Sequence, residues 1–437
     1  MSARPATPPA ARQAFEQGLD NAWSQVAATL PGGDWIRQVR ADALARVVRS
    51  GLPGRRDEQW KYADLAGKRT TALPLAEAVP ARVRAPAAVS LAAYHVGIQN
   101  GRVTQVPAAG SLPDGFEVLR LADALEVPSL WLRSFLEPSG NPIDNLNLAF
   151  ATDGVLVRVG RGVTVARPLV VQNGASLSGT MSHDRSAIVL EEDARLILVE
   201  ITDADATRDA LATSRLAITL ARGASLVHIR LAAGTEGAVL VQDGSVELAE
   251  GARYGHVALV RGAGLLRLQS NVRLAGEGAQ CDIACAYAAP AGHQVDLSIA
   301  LHHAAPRTTS RLLAKGIAAR KGRGAVQGRV VVDETAQGTD SHQMARGLLL
   351  EEGAEIFHKP ELEIYADDVK CGHGATIASL DLTQMFYLQS RGIPAGQARD
   401  MLLEAFVQQV TDHAPDALRD DLMAWATRYL LQKGGPA

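Results

Sequence analysis

Hydrophobic positions along the 437-residue chain change their period twice. Phe15, Leu19, Trp23, Val26 and Leu30 recur at spacings of three and four, which predicts an amphipathic helix. A second helix is expected behind it, capped by Asp34, carrying Ile36, Val39, Val47 and Val48, and stopped at Gly51 and Pro53. Between about 66 and 125 the pattern is mixed, with proline-rich turns around Pro74 to Pro86 and strand candidates near Tyr94 to Thr104. A short helix is expected over Leu130 to Leu136.

From about 150 to 365 the character changes to strand-length apolar runs separated by Gly, Asp and Asn. Val155–Val159, Ala187–Leu190, Leu196–Val199 and Leu226–Ile229 are examples. A turn-like unit recurs as Asp193-Ala194, Gly223-Ala224, Gly251-Ala252 and Gly278-Ala279, at steps of 30, 28 and 27 residues. That period is a solenoid period. Each unit holds several short strands and no helical stretch, so a parallel β-helix is expected, with an antiparallel β-sandwich as the alternative.

After about Leu380 the helical period returns. Asp381 can cap a helix through Met385, Phe386 and Leu388, and Gly392 and Pro394 make a sharp turn. Ala398, Leu402, Phe406 and Val410 then form an apolar stripe, and a third helix runs from Pro415 to Leu431. Two roles are open for these helices, covering the open end of the stack or docking a partner. The predicted organisation is therefore mainly β, a parallel β-helix core over 141–376 between a mostly helical region at 1–140 and a C-terminal helical region at 377–437.

Composition narrows the function classes. The chain is 47% hydrophobic and 21% charged, with a net charge of −3. No apolar run approaches the ~18 residues of a membrane helix, and the charge balance is wrong for coating nucleic acid. Neither membrane nor nucleic acid is an expected partner. Aromatic residues make up only 4% while glycines number 40, so the core must be aliphatic and tightly turned. Three cysteines suit a reducing compartment, and the N-terminus shows no secretory leader, so a cytoplasmic location is expected.

Motif searches mostly return absences. Gly67-Lys68 lacks the upstream glycine and following Ser/Thr of a phosphate-binding loop, and neither Gly-x-Ser-x-Gly nor His-Glu-x-x-His occurs. Gly322, Gly324 and Gly328 are spaced for a turn rather than a dinucleotide fingerprint. Arg307, Arg311, Lys315, Arg320, Lys321, Arg323 and Arg329 form a basic run without interleaved aromatics, which predicts a solvated strand face. Arg55-Arg56-Asp57-Glu58-Gln59-Trp60-Lys61-Tyr62 is a polar cluster whose Trp and Tyr can pack on the core or lie on a surface.

The densest chemistry lies at Glu361 to Gly374. Glu361, Glu363 and Tyr365 alternate with Leu362 and Ile364, as on a half-buried strand. Cys371 and His373 are two apart, so on an extended strand they project to one side, about 6.5 Å apart. A thiolate and an imidazole so placed can hold one soft metal or one edge of an iron–sulfur cluster, although two ligands alone are too few. The plainer reading of Cys371 is a small buried hydrophobe. Gly372 and Gly374 leave the backbone open to close approach by another surface. Cys281 and Cys285 also share a face, and with His293, His302 and His303 a zinc site is conceivable, but core burial fits their spacing better.

At this cluster the chain resembles the SufB/SufD family of iron–sulfur cluster assembly proteins. The stretch from Lys359-Pro360-Glu361 through Lys370-Cys371-Gly372-His373-Gly374-Ala375-Thr376 carries the resemblance, with Thr308-Thr309-Ser310-Arg311, Gln337-Gly338-Thr339-Asp340 and Phe386-Tyr387-Leu388-Gln389-Ser390-Arg391-Gly392-Ile393-Pro394 around it. Glu58-Gln59-Trp60-Lys61-Tyr62, the length and the lack of cysteines before Cys281 resemble the SufD branch. The resemblance implies a right-handed parallel β-helix. It implies pairing with SufB through the C-terminal end of the β-helix, and binding of the SufC ATPase through the C-terminal helices. ATP would then sit only on SufC. Cys371 and His373 would be interface ligands for iron or a transient, nascent cluster, His373 foremost, with SufB supplying the remaining ligands and no cofactor held stably by the lone chain. A homodimer is expected when SufB is missing. The chain would be a non-catalytic scaffold subunit. His358 stands where the family normally has another residue and receives no role. The competing class is a cytoplasmic β-helix enzyme acting on polysaccharides; against it, the adjacent Asp367 and Asp368 face opposite ways on a strand.

Overall fold

The structure is a computed structural model that describes residues 9–68, 71–79, 90–108, 110–126, 130–203 and 209–431. Strands from Val155–Val159 to Val369–Ala378 alternate between two sheets, so that each pair of consecutive strands makes one coil of a parallel β-solenoid of about eight coils. The pairing advances by one coil at a time: Val239 lies beside Leu265 in one sheet, and Arg253 beside Gln280 in the other. Parallel ladders exclude the antiparallel sandwich. Among the described residues antiparallel strand pairs occur only at the first coil, where Arg102–Gln105 closes the edge of one sheet and Phe116–Arg120 that of the other.

The recurrent turn unit builds one corner of four successive coils. Asp193, Gly223, Gly251 and Gly278 all adopt positive φ, between 58° and 70°, and the alanines that follow them are fully buried. The N–H of each of these residues donates to a carbonyl of the next coil: Asp193 to Arg222, Gly223 to Glu250, Gly251 to Glu277 and Gly278 to Pro306. The same corner continues at Arg307 and Gly338, where the following residue is threonine rather than alanine.

Side chains alternate in and out along each strand, and three apolar clusters result. One fills the solenoid interior with Leu226, Tyr254, Cys281, Cys285, Leu297 and their stacked equivalents. The second joins the N-terminal helices Pro9–Val26, Asp34–Ser50 and Pro142–Phe150 to the outer face of the nine-stranded sheet. The third joins the C-terminal helices Ala395–Thr411 and Asp416–Ala426 to the outer face of the ten-stranded sheet. The C-terminal helices thus flank the stack instead of covering its end. Both faces of each sheet are buried along most of its length, which is why the strands read as nearly continuous apolar runs.

Several local expectations change. Asp34 opens the second helix without capping it, since Gly33 holds the cap position and Asp34 pairs with Arg37 at 2.7 Å. Asp381 does cap its helix, accepting from the Thr383 amide at 2.8 Å. Gly324 and Gly328 lie within the strand Arg323–Val332 rather than in a turn. A Cβ at Gly316 or Gly324 would overlap the ring of fully buried Tyr287, so these glycines make its space. The Tyr287 hydroxyl has no hydrogen-bond partner among the described residues. Replacing Tyr287 by Phe is therefore expected to stabilise the fold by about 1 kcal/mol, because a buried donor without a partner is removed; a urea midpoint that falls in the variant would contradict this.

Candidate site at the open last coil

The strands Glu355–Ile364 and Val369–Ala378 end the two sheets, and among the described residues no further strand pairs with either. Their free edges present unpaired backbone groups, a template for another chain. The coil is correspondingly wetter than its predecessors. Alternation in the first of these strands fades into uniform half-burial, and Ile364, Tyr365 and Ile377 are exposed. The helix Leu382–Ser390 follows with no buried residue, leaving Leu382 81% and Phe386 71% exposed.

Cys371 and His373 both lie on the last strand, Val369–Ala378, as expected. Cys371 is half-buried, packed at the edge of the interior cluster. Burial pushes its thiol above the usual range, the nearby Asp340 carboxylate adds to that, and a bond from the Ser341 backbone works against both. In the free chain the thiol is protonated at neutral pH, and a metal or a cation brought by a partner would be needed to favour the thiolate. His373 is exposed and sits in register with Gln343. Gly372 and Gly374 serve their own chain: a Cβ at Gly372 would press on His342, and one at Gly374 on the Met344 methyl.

His358, without a role in the sequence reading, sits on the neighbouring strand of the same coil beside Gly347. Neither ring nitrogen has a hydrogen-bond partner among the described residues, and burial lowers its pKa to about 4. Its contact with Gly347 comes from the facing sheet, eleven residues back along the chain, and no local pattern signals that. Among the described residues no group of three or more His, Cys, Asp or Glu side chains is arranged to hold a metal ion.

The other candidates resolve as structural. Cys281 and Cys285 are buried in the interior cluster, and burial raises the Cys285 thiol to about 12. The histidines of the conceivable zinc set are engaged elsewhere: His293 with the Ala291 carbonyl at 2.8 Å, His302 with Asp333 at 2.8 Å, and His303 with Thr308 and Ser310 at 2.7 and 2.9 Å. Nearby, a buried polar file crosses the coils, in which His228 bonds Glu200 at 2.6 Å and Tyr254 at 2.9 Å. Burial alone would push the Glu200 carboxyl up, but Arg230 and His228 outweigh it and hold it at about 2.

The basic run is a solvated face for the most part. Arg311, Arg320, Arg323 and Arg329 each pair with an acid of the following coil, Asp340, Glu351, Glu355 and Glu363, at 2.7 to 2.9 Å. Lys315 departs from that expectation. It is buried under the helix Ala395–Thr411, with Nζ 4.3 Å from the Phe406 ring centroid, and burial lowers its pKa to about 8. The polar cluster near residue 60 divides. Trp60 is buried against the guanidinium of Arg267, 4.1 Å from its ring centroid, whereas Tyr62 is half-buried and stacks on Phe357, and Glu58 pairs with Lys359. The motif fastens the N-terminal region to the coils nearest the open end.

These features define a two-sheet parallel β-solenoid, flanked by helices on both outer faces, whose final coil is paired on one side only among the described residues and carries a thiol and an imidazole on one strand. The chain belongs to the SufBD family: the family model for the SUF system FeS cluster assembly SufBD core domain matches residues 170–406. It is 32% identical to the iron-sulfur cluster assembly protein SufD of Escherichia coli over 86% of this chain and 88% of that one. An iron-sulfur cluster assembly SufBD family protein of Synechocystis is 28% identical over 87% of each chain. The chloroplastic protein ABCI7 of Arabidopsis thaliana is 26% identical over 87% of this chain and 83% of its own. No helix among the described residues is long and apolar enough to cross a membrane.

Proposed function

We propose that this chain is the scaffold subunit of a SufBCD-type complex, pairing with a SufB-type protein through its last coil and holding a SufC-type ATPase on its C-terminal helices. The observation that carries the reading is the open edge at Val369–Ala378 with Cys371 and His373 on it. A partner that continues the stack would desolvate this edge and bring further donors to the two already there. Iron or a nascent cluster is then cargo held between two chains, and the two-ligand deficit is met by the partner. The protruding helix Leu382–Ser390, with Leu382, Phe386 and Tyr387 exposed, offers the ATPase an apolar face of the helix-in-groove kind. ATP binds the partner, and this chain performs no catalytic step.

The test is co-expression with SufB-type and SufC-type proteins, followed by size exclusion and anaerobic iron and sulfide analysis. One complex that contains all three chains and takes up iron and sulfide is expected. A Leu382→Asp/Phe386→Asp chain is expected to retain the SufB-type partner and lose the ATPase. Elution of the parent chain alone, without either partner, would overturn the reading.

A further inference from the structure

The lumen of the first coils encloses a cavity of about 10 Å³, room for one water-sized occupant. Four strands line it with oxygens: Asn173 on Leu169–Gly174, Asp184 on Met181–Leu190, Glu200 and Thr202 on Arg195–Asp203, and Ser214 on Ala210–Leu220. Aliphatic side chains complete the wall. Glu200 takes its donors on a single atom: His228 Nε2 at 2.6 Å, Arg230 Nε at 3.0 Å and Arg230 Nη2 all meet Oε2. No donor among the described residues reaches Oε1. The Glu200 side chain is 16% exposed although it sits inside the stack, so the exposed part lies on the cavity.

The charges around this cavity do not balance. Asp184 is buried and accepts only from neutral groups, Asn173 Nδ2 and Ser214 Oγ, each at 2.7 Å. Burial raises its carboxyl to about 6, against the pull of those two bonds, so it is mostly ionised at neutral pH. Burial lowers the pKa of His228 and keeps the ring neutral, although its bond to Glu200 works the other way. Two carboxylates thus share one guanidinium, that of Arg230, and one buried negative charge is left over, a costly state in a dry interior. A second and independent sign is Gln242, only 6% exposed. Its Nε2 donates to Thr202 Oγ1 at 2.6 Å. That bond brings to the cavity wall its own Oε1, which has no partner among the described residues.

We propose that the cavity is a site for one sodium-sized monovalent cation, held by Asp184, by Glu200 through Oε1, and by the neutral oxygens of Asn173, Thr202 and Gln242. Oxygen donors without sulfur or free imidazole select a hard cation. A single excess negative charge matches a monovalent ion, whereas a divalent one would leave the lumen positive. The size of the cavity sets the upper limit on the radius. With only two carboxylates, the site depends on amide and hydroxyl oxygens to complete its shell. It lies in the first coils, remote from the last-coil edge, and its test does not depend on cluster assembly.

The experiment is equilibrium urea unfolding of the whole chain in sodium, potassium or choline chloride at equal ionic strength, so that general salt effects cancel and the site is open to exchange at the midpoint. An ion bound only by the folded chain lowers the unfolding constant by about tenfold when it stands at about ten times its dissociation constant. Sodium is expected to raise the midpoint of the parent above its value in choline, with a smaller rise in potassium. Asp184→Asn is expected to abolish the difference between sodium and choline, because it removes the excess charge. Thr202→Val, which keeps the shape but removes an oxygen and the anchor of Gln242, is expected to shrink it at least threefold and decides the matter if Asp184→Asn does not fold. Glu351→Gln, which removes a carboxylate paired with Arg320 on the outer surface, is expected to keep it. The proposal is overturned if the parent unfolds alike in sodium and choline, if potassium matches sodium, or if Thr202→Val keeps the whole of the parent's difference.

Discussion

Asp296→Ala is expected to destabilise the protein by about 3–5 kcal/mol, the cost of leaving one member of a buried ion pair without the other. Asp296 and Arg267 are both wholly buried between the nine-stranded sheet and the N-terminal region, 2.5 Å apart. Removing the carboxylate leaves the guanidinium with Gln269 at 3.1 Å and the face of Trp60, and with the buried Asp243 carboxylate as a more distant charge. Burial pushes the Asp296 carboxyl above its usual range even with Arg267 beside it, so the pair as a whole adds little net stability. Loss of one half is therefore costly while loss of both is not. Arg267→Met/Asp296→Leu is expected to return to within about 1–2 kcal/mol of the parent, as buried pairs often tolerate apolar replacement. Urea unfolding at unchanged slope reads both effects. A single variant within about 1 kcal/mol of the parent would mean that water reaches Arg267.

The second large effect concerns the cargo. His373→Ala is expected to lower the iron and sulfide content of the three-protein complex about tenfold or more, the scale on which even supporting residues of metal sites act, with complex size unchanged. The argument turns on exposure. His373 is exposed on an edge strand, and substitution at such a position moves stability by only about 0.5 kcal/mol. A lost cluster in a complex that still assembles therefore reports ligation rather than folding. Cys371→Ser removes the softer donor but also a half-buried contact with the interior cluster, so His373 gives the cleaner reading. A His373→Ala complex that fills like the parent would reduce this residue to a surface position and leave the chemistry to the partner.

Much of this architecture was legible in the chain because the corner of each coil repeats a backbone requirement. Asp193, Gly223, Gly251 and Gly278 all need positive φ and are all followed by a buried alanine, so one physical constraint wrote the same two-residue unit four times. Where the constraint is met otherwise, at Arg307-Thr308 and Gly338-Thr339, the repeat disappears from view although the corner continues. The flanking position of the C-terminal helices was less accessible. It is encoded in strands such as Gln280–Ala289, whose outward Ala284 and Ala286 share one apolar cluster with Leu403 and Val407 of the helix against it, and nothing local says which remote element covers them. Tyr287 with Gly316 and Gly324, and His358 beside Gly347, belong to the same class: their meaning lies in neighbours about ten to forty residues away on other strands. For the site, spacing alone placed Cys371 and His373 on one strand. Their membership of a final coil that is paired on one side only, among the described residues, needed the count of coils.

The corner bonds have a mechanical consequence. From Asp193 to Gly338 each links one coil to the next, and the parallel ladders run their hydrogen bonds in the same direction, along the solenoid axis. Tension between the two ends of the stack therefore loads these bonds lengthwise and a few at a time, as in opening a zipper, instead of shearing a whole strand. The weakest point is the terminal coil, which has neighbours on one side only. Peeled away, it would release roughly thirty residues, or about 100 Å of extended chain, while the coils behind it kept their register. The ATPase proposed to bind the exposed helix after the last strand would act where the molecule yields in one discrete step.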